Sequence, residues 1–390
     1  MKEQLISRIG ELCDRLTRMS DDIFDHPEPG GTEQYAVSLL TGFLEEQGFC
    51  VERGIAGLST AFRAVYQVGE GGPSLGLLCE YDALKGFGHG CGHHMQGPAI
   101  VGAAAALKSC LTAETPAKIV VYGTPAEEIS EGKSIMLREG CFRDIDIALM
   151  THANQETNVD VRSLALRSFR VKFHGIAAHA AIKPEDGRSA LDALMLACHG
   201  LECLREHVRD DVRMQYAIRE TSPLSNVVPD YVEASFVLRS YSTNYVETLV
   251  PRLQKIIEGA ALMTETTYEM TEKSHVDSKV PSYILNDLIM EHAKEVQAPQ
   301  LGRPRERTGS TDFGNVLHTI PGSCVRIAFV PKGTPSHSQT YLDAGKSEDA
   351  HLAVKLSAQI LALTCWDVIS RPDLLERIQE EYQENLKEMG

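Results

Sequence analysis

The stretch GHGCGHHMQG, residues 88–97, gathers His89, Cys91, His93 and His94 within one glycine-punctuated run. Three other places offer comparable side chains: Glu127 and Glu128, adjacent in PAEE, His152 in IALMTHA, and His337 in PSHS. Thiolate, imidazole and carboxylate together favour zinc or its neighbours over calcium or magnesium. A set of this size exceeds what one tetrahedral ion with an open catalytic position needs, so two ions sharing a bridging ligand use it better. Of two adjacent carboxylates, one can then bind metal while the other holds a water and shuttles its proton. Taken singly, each group has an ordinary explanation: a packed thiol, a core or solvated histidine, acidic residues opening a helix. Their joint placement argues for a metal site. One short loop cannot aim four side chains at one centre, so His89 and His94 read as orienting or structural.

That joint placement follows from the elements around the motifs. SLGLLCEYDAL, KIVVYGTP, IDIALMTHA and CVRIAFVP are short apolar runs of buried-strand type, and the candidate residues follow them. Strands alternating with helices, such as the alanine-rich GPAIVGAAAALKSCL, predict an α/β fold with a mostly parallel sheet. In such a sheet ligands bind outside the carboxyl ends of the strands, where loops distant in sequence can meet. The chain opens with an amphipathic helix carrying Leu5, Ile9, Leu12, Leu16 and Met19, and a second helix is expected over about 32–47. The middle changes character. SFRVKFHG and YVEASFVLRSYS read as strands and two long helices accompany them, a β-α-β-α insertion of domain size. The expected organisation is a catalytic domain of 1–167 with 280–390, interrupted by a smaller α+β domain at 168–279. The stretch AKEVQAPQLGRPRERTGSTDFGN reads as a long loop.

At 390 residues the chain is too long for one ordinary core and suits two domains. Its formal net charge of −16 argues against nucleic acid or anionic membrane as partners, and Arg303, Arg305 and Arg307 are the only dense basic cluster. No membrane-spanning run and no leader are read, and ten irregularly spaced cysteines look like reduced thiols, so a cytoplasmic protein is expected.

The motifs EYDALKGFGHGCGH (80–93), PAEE (125–128), GIAAHAAIKPEDGRSALDA (175–193), NVVPD (226–230), GSTDFGN (309–315) and PSHS (335–338), with His152, carry a resemblance over nearly the whole chain. The sequence resembles the dinuclear metallopeptidase superfamily of glutamate carboxypeptidases and aminoacylases, in its amidohydrolase branch, which includes p-aminobenzoyl-glutamate hydrolases and dipeptide hydrolases. The resemblance implies two divalent metal ions, zinc or manganese foremost with cobalt or nickel as alternatives. They would be held by Cys91, His93, Glu128, His152 and His337, Cys91 bridging, with Glu127 as general base. It also implies that the inserted domain is a lid that pairs chains into a homodimer, with a tetramer as the larger option. His179 is similar to a histidine that reaches an active site and steadies the oxyanion, while Asn226 and Arg239 resemble residues that contact substrate. His94 stands where relatives usually carry Asn or Asp, and Lys85 where many have Pro, which leaves substrate identity open.

The function expected is hydrolysis, by metal-activated water, of an amide joining an acyl or aminoacyl group to an amino acid. Two rivals stand beside it. One is a catalytically silent binding protein for amino-acid conjugates. The other is a thiol hydrolase with Cys91 as nucleophile and His93 as base, which leaves Glu127, Glu128 and His337 without roles.

Overall fold

The computed structural model describes residues 1–129 and 132–389, in two compact units. The first comprises Met1–Ser163 with Lys279–Glu388, and the second is Leu164–Ser278. The joints thus fall at 163/164 and 278/279, against 167/168 and 279/280 in the sequence reading. The first joint lies earlier because the alternation of SFRVKFHG already begins at Ala165.

In chain order the first unit opens with α1 (Lys2–Asp25), α2 (Gln34–Glu46), β1 (Cys50–Arg53), β2 (Phe62–Val68), β3 (Ser74–Cys79), α3 (Gln96–Cys110), β4 (Ala117–Gly123), α4 (Gly132–Arg138), β5 (Ile147–Asn154) and β6 (Asn158–Val159). The second unit holds β7 (Ala165–His174), α5 (Ala190–Leu204), β8 (Arg213–Thr221), β9 (Tyr231–Ser240), α6 (Thr243–Thr264) and β10 (Thr267–Val276). The first unit resumes with α7 (Tyr283–Glu295), α8 (Phe313–Leu317), β11 (Gly322–Ala328), α9 (Gln339–Asp343), α10 (Glu348–Ser370) and α11 (Pro372–Met389).

The first unit is a seven-stranded sheet in the order β1-β2-β4-β3-β5-β11-β6. From the pairings, β1, β4, β3, β5 and β11 run one way and β2 and β6 the other. The four central strands are therefore parallel and end at one edge. Their sequences are almost continuously apolar because helices cover both faces. Leu75, Leu77, Ile119, Val121, Ile147 and Leu149 join the core built with α1, α3 and α10, while Leu78, Val120, Tyr122, Ala148 and Met150 pack with Met136 of α4 and Val316 of α8. Successive side chains of one strand thus serve opposite cores, as the two-residue strand period requires.

α10 corrects the reading that no run could span a membrane. Among the described residues it alone is long and apolar enough, but 89% of its apolar window is buried in the protein. It is a core helix, capped where the Ser347 Oγ accepts the Ala350 N–H at 3.2 Å.

The second unit is a four-stranded antiparallel sheet, β10-β7-β9-β8, with α5 and α6 on one face. β7 and β9 alternate strictly, so that Phe169, Val171, Phe173, Val232, Ala234 and Phe236 enter the core with Leu201 and Leu253 of the helices. Each helix starts at a serine whose Oγ accepts a backbone N–H: Ser189 from Asp192 at 3.1 Å and Ser242 from Tyr245 at 3.2 Å. The edge strands β8 and β10 are not anticipated by the sequence reading. Most of their residues are exposed or only half-buried, so no apolar alternation marks them.

Candidate active site

The loop after β3 carries Cys91, and His93 opens a short 3-10 turn leading into α3. Gly92 separates them at φ +82°, and a Cβ there would meet the Cβ of Ala153 at 2.6 Å. Only glycine lets this loop pass so close to β5 while turning left-handed. Glu127 and Glu128 follow β4, after Ala126 at φ +62°, and His337 follows β11 at φ +60°. Two non-glycine residues in that region cost about 1–3 kcal/mol each and are found where function holds a backbone in place. His152 differs from expectation. It lies inside β5, opposite Arg326 of β11, rather than beyond the strand end, so its ring reaches the site from the sheet edge itself.

These residues converge within the first unit. One donor atom each of Cys91, His93 and His152 lies within 4.8 Å of the others, and the same holds for Cys91, Glu128 and His337, and for His93, Glu127 and Glu128. The Cys91 Sγ stands 3.6 Å from the His152 Nε2, and the His337 Nε2 is 3.8 Å from the Glu128 Oε1. A cavity of about 550 Å³ opens on them, lined also by Asn154, Glu156, Arg305, Thr311 and Tyr341.

The surroundings orient the rings. The His93 Nδ1 lies 3.1 Å from both the main-chain and a carboxylate oxygen of Asp82, and the His152 Nδ1 lies 2.8 Å from the Ala153 carbonyl. With only acceptors there, each Nδ1 is placed to donate, which would leave each Nε2 to serve as a metal ligand. The other Asp82 oxygen accepts the Glu128 N–H at 2.9 Å, so one carboxylate braces two candidate ligands. His89 and His94 stay out of the cluster, their Nε2 atoms meeting the carbonyls of Ile23 at 3.1 Å and Gly345 at 2.8 Å.

Beneath the cluster lies charge that sequence reasoning missed. Lys133, fully buried, donates to the Glu80 Oε1 at 2.6 Å and to the Asp312 Oδ1 at 2.7 Å. Gln96 donates to the remaining Glu80 oxygen at 2.8 Å. Burial works against the charge of Glu80, but Lys133 overrides it and holds that carboxyl well below its usual range. Glu127 is the opposite case: burial, then the charges of Glu80 and Asp312, push it up to about 8. The Thr311 hydroxyl donates to its Oε1 at 3.0 Å. Burial also pushes the Cys91 thiol up to about 11. Glu80, Asp82 and Asp312 stand inside the EYDAL and GSTDFGN motifs. Two carboxylates spaced as Glu-Tyr-Asp just past a buried strand are the signal that could have found the first two.

Behind Arg305 and Arg326, which line the cavity, Asp160 is buried and faces three cations. The Lys279 Nζ approaches it to 2.7 Å, the Arg326 Nη2 to 2.8 Å and the Arg305 Nη1 to 3.6 Å. Burial opposes the Asp160 charge, yet Arg326 and Lys279 hold its pKa well below the ordinary carboxylate value. A pKa lowered by folding gives stability that is complete above the unfolded value of about 3.9 and fades as pH falls toward the folded one. Asp160→Asn should therefore cost about 3–5 kcal/mol at pH 7. Denaturant unfolding of both proteins should show that gap shrinking below about pH 4.

His179, Asn226 and Arg239 belong to the second unit. His179 and Asn226 are exposed neighbours there, the Ala180 N–H donating to the Asn226 carbonyl at 3.0 Å, and Arg239 is half-buried on β9.

An α/β unit whose parallel strands deliver these groups to one edge has the layout of a hydrolase, and comparison with known proteins agrees. Residues 76–362 match the model of peptidase family M20/M25/M40. The mouse Xaa-Arg dipeptidase is 32% identical over 100% of this chain and 93% of its own length. A p-aminobenzoyl-glutamate hydrolase chain of Escherichia coli K12 is 32% identical over 95% of this chain and 92% of its own. A Bacillus subtilis structure described as a dinuclear metal binding peptidase from the M20 family superposes with a TM-score of 0.72 at 19% identity, covering 93% of this chain and 99% of that one. The protein is thus an enzyme that hydrolyses amide bonds. It belongs to peptidase family M20/M25/M40, the group its motifs resemble.

Proposed function

We propose that this enzyme holds two divalent cations and cleaves the amide between an acyl or aminoacyl group and an amino acid. The observation that carries this reading is that Cys91 belongs to two donor clusters at once, one with His93 and His152 and one with Glu128 and His337. A thiolate shared in this way suits a bridging ligand. The donor set fits: the His93 Nε2 and Glu128 Oε1 are buried and without a hydrogen-bond partner among the described residues, and both belong to these clusters. Cys91, His93, Glu128, His152 and His337 would hold the ions, zinc or manganese foremost.

Bound there, two cations would supply Lewis acidity, acidifying a water and polarising the amide carbonyl. Glu127 acts as general base. Thr311 anchors one of its oxygens, which leaves the other to receive the proton. The same carboxyl then delivers that proton to the departing nitrogen, since an amine anion is a poor leaving group. Asp82 keeps His93 in the tautomer a ligand needs. The second unit is proposed to act as lid and dimerisation domain, with His179 steadying the oxyanion and Asn226 and Arg239 contacting substrate.

The named relatives bring two substrate types, Xaa-Arg dipeptides and p-aminobenzoyl-glutamate. The thiol-hydrolase rival loses ground because it leaves Glu127, Glu128 and His337, gathered with Cys91 and His93, without roles. The test is elemental analysis of the purified protein joined to a hydrolysis screen of N-acyl amino acids, p-aminobenzoyl-glutamate and dipeptides, with and without chelator. About two metals per chain and chelator-sensitive release of an amino acid are expected. Turnover that survives complete metal removal overturns the reading.

A further inference from the structure

Glu33 stands directly before α2, where an acid ordinarily caps the helix from a solvated position. Here it does neither. Its side chain is buried and makes no cap bond to α2; Glu28 takes that part, accepting the N–H groups of Tyr35 at 2.9 Å and Ala36 at 3.1 Å. The Glu33 Oε1 turns instead to the PAEE motif and accepts the Ala126 N–H at 2.9 Å. Burial pushes this carboxyl above its ordinary range, so the place asks for an oxygen acceptor more than for a charge. The loop from Glu28 to Glu33 is laid tightly on the same motifs. The Ala83 N–H donates to the Glu28 carbonyl at 2.8 Å, Pro29 bridges Ala83, and a Cβ on Gly30 would meet the Cα of Ala126 at 2.9 Å. Ala126 is the residue at φ +62° from which Glu127 and Glu128 depart, a conformation that a non-glycine residue keeps only where its surroundings impose it. The N–H groups on either side of Glu127 are therefore held by buried carboxylates from separate loops, that of Ala126 by Glu33 and that of Glu128 by Asp82 at 2.9 Å.

We propose that Glu33 is a positioning residue for the reaction: by gripping the Ala126 N–H it fixes the left-handed turn that sets Glu127 as base apart from Glu128 as ligand. The inference rests on the reading of Glu127 as general base and extends it to a residue that lies outside the ligand cluster. Thr311 holds the far end of Glu127, at its Oε1, and the grip on Ala126 holds its main chain, so the carboxylate is fixed from both ends. Without the grip, Ala126 is free to relax toward the right-handed or extended backbone that alanine prefers, carrying Glu127 with it. A misplacement of about 1 Å is enough to cost on the order of 10²-fold in rate. Glu128 keeps its own hold through Asp82, so the ligand set is disturbed less than the base.

The experiment uses the metal-loaded full-length enzyme and the substrate turned over fastest in the screen above. Glu33→Met, which fills the volume but offers no oxygen, should lower kcat about 10-fold or more with KM and metal content near those of the wild type. Glu33→Gln, of similar size but with an oxygen acceptor, should restore most of that loss, so the difference between the two variants reports the bond and not the packing. Amide hydrogen exchange over residues 120–128, read by mass spectrometry, is independent of turnover, and Glu33→Met should speed it about 10-fold or more there. Gly30→Ala leaves the carboxylate intact but presses a Cβ on the Ala126 main chain, and should lower kcat in the same direction. Unfolding midpoints are measured alongside. A folded, metal-loaded Glu33→Met with wild-type kcat overturns the proposal, and so does a loss of metal that accounts for the loss of kcat. Should Glu33→Met fail to fold, Gly30→Ala with wild-type kcat overturns it. Faster exchange in Glu33→Met, beside a loaded wild type that hydrolyses nothing in the screen, leaves the grip on Ala126 standing and overturns the general-base reading instead.

Discussion

Glu127→Gln should lower kcat by about 10²–10⁴-fold while the protein keeps its metals and its fold. The amide is nearly isosteric and can still accept the Thr311 hydroxyl at its oxygen, so the 3.0 Å anchor survives. What it loses is the capacity to take a proton from water and return it to the leaving nitrogen. Elemental analysis and kcat on one preparation check the division of labour. Metal content equal to wild type with turnover gone is expected, whereas metal lost together with turnover would mean that Glu127 is a ligand. Glu128→Gln should behave the other way, depleting metal first, because the Glu128 Oε1 lies 3.8 Å from the His337 Nε2 and Glu128 shares a donor cluster with His337 and Cys91.

Lys133→Met should destabilise the protein by about 3–5 kcal/mol. The ammonium is fully buried between Glu80 and Asp312, and donor oxygens of Glu80, Glu127 and Asp312 lie within 4.8 Å of one another. Methionine fills the volume but leaves those carboxylates facing each other without a cation. Denaturant unfolding measures the loss, and a double-mutant cycle identifies its cause. In Lys133→Met with Asp312→Asn the combined loss should fall well short of the sum of the single losses, because removing one carboxylate relieves the repulsion that loss of the cation exposes. Additive losses would mean that Lys133 matters only as packing.

Most of the first unit could be read from its strands. SLGLLC, KIVVYG and IALMT announce themselves because helices bury both of their faces, which forces apolar residues at every position. The second unit was half legible for the same physical reason. β7 and β9 bury one face each and alternate, while β8 and β10 leave most of their side chains to water. The candidate ligands were visible because cysteine, histidine and paired glutamates are rare at strand ends, where position alone suggests a role. Their supports were not. Asp82 braces His93, eleven residues away, and Lys133 meets Asp312 across 179 residues, and no periodic pattern encodes such pairings. Arg305 was read only as part of a dense basic cluster given no nucleic-acid weight, since its place on the cavity depends on the strip of main chain that lays 301–308 against 157–163.

β11 pairs with β5 on one side and β6 on the other, filling a slot between two strands made far earlier in the chain. Four of the five proposed ligands precede that slot in sequence, and the fifth, His337, follows the strand that fills it. During synthesis, the emerging chain therefore completes the whole second unit before the active site can close. A nascent or truncated chain lacking the last seventy or so residues would hold neither the finished sheet nor the fifth ligand. If the five residues hold metal as proposed, the complete ligand set is tied to completion of the sheet, and a partly made enzyme would be kept from hydrolysing amides by the order in which its own strands arrive.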